Sequence, residues 1–139
     1  VYKRQTYFYN VYGKREISCG KYATLIASFI DKMANGKPLT VVLPGHQKRN
    51  FTHIDDIIEG IILVGKYGHE DEFGIGSSQS YSILEIANMF GGEIIMIPKR
   101  KGNRMEGEVI SNKTIELGWT AKNKISEYIG NLKDNNWKY

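Results

Sequence analysis

Short β-prone runs alternate with segments of helical period along this chain, and nothing repeats at a fixed spacing. Such alternation is the mark of an α/β fold, in which the helices between strands cover the sheet. The run 7–11 is aromatic and closed by Gly13, and 39–43 lies between Lys37-Pro38 and Pro44-Gly45, so both read as strands. The runs 72–76 and 93–97 read as two more. Leu25, Ile26, Phe29, Ile30 and Met33 recur at helical spacing within 22–34, with Asn35-Gly36 as a stop. A second helix is predicted over 54–66, with Ile57, Ile58, Ile61, Ile62 and Val64 mostly on one face. Asp55 and Asp56 sit at its positive end. Ser82 and Glu85 have capping-box spacing ahead of Ile86, Met89 and Phe90. Further helices are predicted over 111–117, closed by Gly118, and over 123–132. Three or four short strands are too few for a sheet with both faces covered, so the chain reads as part of a larger α/β unit.

Composition narrows the class without naming a function. With 139 residues, 41% of them apolar and 24% charged, the chain suits one soluble domain. No apolar run approaches the roughly 18 residues of a membrane span, so no membrane partner is expected. The single Cys19 rules out an internal disulfide and suits the cytoplasm. The first five residues, Val1 to Gln5, carry no cap or periodicity and resemble a translated sequencing adapter. We expect residues 1–5 to be a non-native tail and 6–139 to be the native part.

The chain lacks a G-x-G-x-x-G loop and a phosphate-loop motif, and His46, His53 and His69 lack metal-ligand spacing. Three clusters suit an anion instead. Asn10 can offer a side-chain amide to a phosphate oxygen, or it can simply occupy a turn before Gly13. Arg49, ahead of a helix start, can present its guanidinium fork to a diphosphate, or it can pair with Asp55 or Asp56. His53 beside it is expected to hold the loop by hydrogen bonds. The basic run 99–104 suits a phosphate or ribose contact, or a solvated face. It lacks the aromatic interleaving of a nucleic-acid patch, so no nucleic acid is expected.

Taken in order, four motifs resemble one family. They are Tyr7-Phe8-Tyr9-Asn10-Val11-Tyr12-Gly13, Gln47-x-Arg49-Asn50-Phe51-Thr52-His53-Ile54-Asp55-Asp56, Arg100-x-Gly102-Asn103 and Leu117-Gly118-Trp119. Together they resemble the C-terminal part of extended short-chain dehydrogenase/reductases of the NAD-dependent epimerase/dehydratase family, UDP-glucose 4-epimerase type. The resemblance implies an extended Rossmann-type α/β fold whose N-terminal dinucleotide-binding half is missing here. Residues 6–139 would then be the last core strand plus the C-terminal substrate-binding domain. It also implies a nucleotide-diphosphate sugar as substrate, NAD as cofactor, a homodimer when intact and UDP-sugar 4-epimerisation as the activity, with a related dehydratase or reductase, or a non-catalytic sugar-nucleotide-binding module, as the alternatives. Asn10 and Arg49 would contact the diphosphate, and Arg100 a phosphate or the ribose. Asn103 would bond the ribose hydroxyls where relatives carry an acid, and Leu39, Thr40 and Val41 would lie along the base, chiefly by backbone. The family's Gly-rich NAD loop and Tyr-x-x-x-Lys pair do not occur in this chain, so it should be inactive alone. It should also expose apolar surface that an intact enzyme buries.

Overall fold

The computed structural model describes residues 3–99, 105 and 107–139. Its strands are β1 (Thr6–Phe8), β2 (Val11–Tyr12), β3 (Leu39–Val42), β4 (Lys48–Asn50), β5 (Thr52–His53), β6 (Phe73–Ile75), β7 (Ser80–Ser82) and β8 (Ile94–Ile97). Its helices are α1 (Leu25–Ala34), α2 (Ile54–Tyr67), α3 (Ile83–Phe90), α4 (Asn112–Glu116) and α5 (Ile125–Asp134). Three pairs are parallel, β1 with β6, β2 with β5 and β3 with β8, and β4 with β7 is antiparallel. Parallel neighbours require crossovers through helices, which the α/β reading anticipated.

The single strand predicted over 7–11 is two strands, and the reason is local. Asn10 has φ 40°, in the left-handed region where a short polar side chain is tolerated. The kink lets β1 pair with β6 while β2 turns away to pair with β5, at Val11↔Thr52 and Tyr12↔His53. The strands β4, β5 and β7 were not predicted. They are two or three residues long and largely polar, so neither alternation nor an apolar run marks them.

Caps set the helix starts. The Thr24 hydroxyl accepts from the Ala27 amide, so α1 begins after it rather than at 22. The expected capping box on α3 is present, with Ser82 N donating to Glu85 at 2.6 Å and Glu85 N to Ser82 Oγ at 3.1 Å. That contact with the Ser82 amide holds the Glu85 carboxyl below its ordinary value.

Two clusters form the interior. The larger joins Ile26, Phe29 and Ile30 of α1, Leu39 and Val41 of β3, Ile86 and Phe90 of α3, and Ile125 and Ile129 of α5. The smaller joins Ile57, Ile75 and Trp119. On α2 the predicted common apolar face divides. Ile57, Gly60 and Val64 are buried, while Ile58, Ile61 and Ile62 are 47%, 43% and 50% exposed. A rotation of 100° per residue places the second set beside the first rather than on it. Tyr7 and Phe8 are exposed as well, so the chain does present apolar surface on β1 and α2.

A buried polar cluster lies beside β2. The Tyr12 and Tyr128 hydroxyls and both Glu16 carboxylate oxygens are inaccessible, and among the described residues no group meets them in full hydrogen-bond geometry, although Thr24 and the Gly13 amide approach Glu16. Burial pushes Glu16 up to about 7, with Thr24 and the Gly13 amide opposing it only in part. Its ordinary value is 4.5, so the folded chain holds the proton more tightly than the unfolded one. The stability this gives is fully present below the ordinary value and is lost as pH rises through about 7. Glu16→Gln should therefore gain on the parent between those two values and hold a constant lead above. Discounted for partial exposure, that lead is about 1–2 kcal/mol. Urea denaturation of both proteins at several pH values checks it. A difference independent of pH contradicts it.

Candidate functional site

Asn10 and Arg49, far apart in sequence, meet at one cavity of about 380 Å³, lined by residues 7–10, 48–50 and 107–109. Three layers of contact hold them there. The Asn10 side-chain amide donates to the Asn50 carbonyl at 3.1 Å, tying the kink between β1 and β2 to β4. Asn50 is buried and donates in turn to the Ser77 carbonyl at 2.8 Å, while the Ser77 amide donates to Thr52 Oγ1 at 2.9 Å. The β4–β7 register sets Arg49 opposite Tyr81, and the Arg49 Nη1 donates to the Lys48 carbonyl at 2.7 Å. Lys48 adds a second cation to the lining and Glu108 one anion.

The aspartates that competed for Arg49 are otherwise engaged. Asp56 is buried, and its carboxylate accepts from the Asn123 amide at 3.0 Å and from the Asn123 side chain at 2.9 Å. Its carbonyl accepts from the Trp119 indole at 2.8 Å. Asp55 lies 3.5 Å from His53, whose Nδ1 accepts from the Asp55 amide and caps α2. His53 thus holds the loop, as expected, and packs edge-on against Tyr12 and Tyr128.

The remaining expected residues divide. Leu39 and Val41 are fully buried in the core and stand outside the cavity lining, so toward a ligand they can offer only backbone. The Thr40 hydroxyl accepts from the Lys32 ammonium, which burial lowers below its ordinary value. Arg100 and Asn103 lie outside the described residues. The segment after them returns to the site, because the Lys48 amide donates to the Met105 carbonyl at 2.8 Å. Sequence reasoning missed Lys48 and Glu108 as lining residues. Lys48 stood inside a quoted motif beside a more distinctive Arg, and Glu108 belongs to no pattern.

The sequence profile of the NAD dependent epimerase/dehydratase family matches residues 6–76, just over half of the chain. The chain belongs to the NAD-dependent epimerase/dehydratase family. Among family relatives, a putative UDP-glucose 4-epimerase of Methanocaldococcus jannaschii is 28% identical over 91% of this chain and 44% of its own length. UDP-glucuronic acid decarboxylase 3 of Arabidopsis thaliana is 28% identical over 86% of this chain and 36% of its own. Among solved structures, the UDP-glucose 4-epimerase of Thermotoga maritima with UDP-glucose superposes with a TM-score of 0.81. It is 25% identical and covers 89% of this chain and 42% of its own. The chain thus spans less than half the length of the relatives it matches. The fold is the expected Rossmann-like α/β arrangement of the family, and the part present corresponds to about 43% of such structures.

NAD is the cofactor of the family. Among the described residues, none form the Gly-rich loop that would hold it. The helix starts that follow strands here are closed by the side chains of His53 and Ser82, not by a run of glycines open to a pyrophosphate.

Proposed function

We propose that this chain supplies the diphosphate-holding side of an NAD-dependent nucleotide-sugar 4-epimerase acting on a UDP-sugar. The observation that carries the proposal is the convergence of Asn10 and Arg49 on one cavity, with Lys48 beside them. A diphosphate brings charge and several acceptor oxygens. A guanidinium fork answers two of those oxygens at once, and an amide and an ammonium answer others as single donors. Gripping this handle fixes the sugar relative to whatever reacts with it, which is how non-reacting parts of a substrate raise rate. The reacting carbon and NAD would be served by residues outside these 139, and a homodimer in the cytoplasm belongs to the same proposal.

Relatives of similar identity include UDP-glucuronic acid decarboxylases, which favours a second reading in which the same handle carries a glucuronic acid. A product assay on the intact enzyme separates the two. With NAD present, UDP-glucose should be converted to its C4 epimer until the two forms equilibrate. Release of CO₂ from UDP-glucuronic acid without epimerisation would replace the first reading with the second. Turnover of neither substrate would overturn both.

A further inference from the structure

Between the end of β3 and Arg49 lies a turn whose geometry depends on one buried side chain. Gln47 is 1% exposed. Its Nε2 donates to the Val42 carbonyl at 3.0 Å and to the Leu43 carbonyl at 3.4 Å, the last residue of β3 and the one after it. Its own carbonyl accepts from the Ile83 amide at 3.1 Å, at the first residue of α3. Two residues earlier, the Gly45 carbonyl accepts from the Leu84 amide at 3.1 Å. The turn is therefore pinned to β3 by a side chain and to α3 by backbone. Among the described residues the Gln47 side chain acts as a donor, through both Nε2 bonds.

We infer that Gln47 is a positioning residue that fixes the distance between β3 and Arg49, and so joins the contact to the base with the contact to the diphosphate. The inference rests on the proposed function for Arg49 as the diphosphate clamp, and on the expectation from the family resemblance that Leu39, Thr40 and Val41 of β3 lie along the base. Lys48 and Arg49 follow Gln47 directly and enter the β4–β7 ladder, where Lys48 pairs with Ser82 and Arg49 with Tyr81. A shift of the Gln47 backbone is thus carried to Arg49 through one residue. The base side would not follow, because β3 is held separately by β8 at Leu39↔Ile94 through Val42↔Ile97. Each half-site can stay intact while their separation changes.

That separation has a readout which general destabilisation does not share. Inhibition constants of UDP, uridine and inorganic pyrophosphate are measured against the UDP-sugar in the intact enzyme and in Gln47→Met, which keeps length and removes the donor. UDP should bind about tenfold more weakly in the variant, with uridine and pyrophosphate each within about twofold of the parent and kcat little changed. Equal weakening of all three, or unchanged UDP binding, overturns the inference. If Gln47→Met does not fold, Gln47→Asn serves the same comparison, because its amide falls one methylene short. A parent enzyme that UDP does not inhibit would overturn the proposed function itself, and this inference with it. Normal UDP inhibition of the parent, with no selective loss in the variants, would overturn only the role of Gln47.

Discussion

Gly74→Ala should destabilise the protein by about 3 kcal/mol, the upper part of the usual range for overpacking, because what a new methyl meets is backbone. Gly74 is the middle residue of β6, paired with Tyr7 of β1, and its carbonyl accepts from the buried Thr114 hydroxyl at 2.7 Å. A Cβ built there would stand 1.7 Å from the Ile110 carbonyl oxygen. No rotamer change relieves such a contact, so either β6 or the segment at 110 must move. Moving β6 loosens its pairing with β1 just before Asn10, and moving 110 disturbs the chain running from 107–109 along the cavity. Gly130 provides the control. It lies within α5, and nothing stands within 4 Å of a Cβ added there. Gly130→Ala should stabilise by roughly 0.5–1 kcal/mol through helix propensity alone. In thermal melts of the two variants, Gly74→Ala should fall by about 10 °C while Gly130→Ala holds or rises slightly. A Gly74→Ala protein that melts with the parent contradicts the close approach of Ile110.

Local chemistry was legible wherever it obeys a period or a cap. The interior residues of α1, the Ser82–Glu85 box and the left-handed stops at Gly36 and Gly118 follow from spacing and residue type, and all stand where those rules put them. Long-range geometry was not legible in the same way. A turn at Asn10 was one of the two readings of that residue, but nothing in 7–11 signals that the chain on either side of it reaches different partners. Ile58, Ile61 and Ile62 were expected with Ile57 because hydrophobic periodicity reports apolar character, not which face finds a neighbour. The motif order named the family's residues, but only the β4–β7 register and the Asn10–Asn50 contact bring Arg49 and Asn10 to one cavity. Arg100 and Asn103 were suggested by the same order and lie outside the described residues.

Arg49→Lys should raise the KM of the intact enzyme for its UDP-sugar about tenfold or more, roughly 1–3 kcal/mol of lost binding. The substitution keeps the charge, so long-range attraction to the diphosphate survives. The planar fork does not survive, since an ammonium is a point donor and cannot meet two oxygens in one plane. The packing around position 49 should tolerate the change. Asn50, not Arg49, carries the buried bond to Ser77, and the ladder with β7 is made by backbone. The Arg49 Nη1 bond to the Lys48 carbonyl is a local contact the substitution puts at stake, and a melting temperature reads its effect apart from affinity.

The most direct test is an equilibrium titration of UDP into the intact enzyme and into its Arg49→Lys variant, with NAD bound to both. A diphosphate clamp built on Arg49 predicts about tenfold weaker UDP binding in the variant or more, with the melting temperature close to that of the parent. The ratio should persist as salt is raised, because a lost hydrogen-bond fork is not a screened surface charge. Equal UDP affinity in the two proteins would contradict the clamp and remove Arg49 from the site.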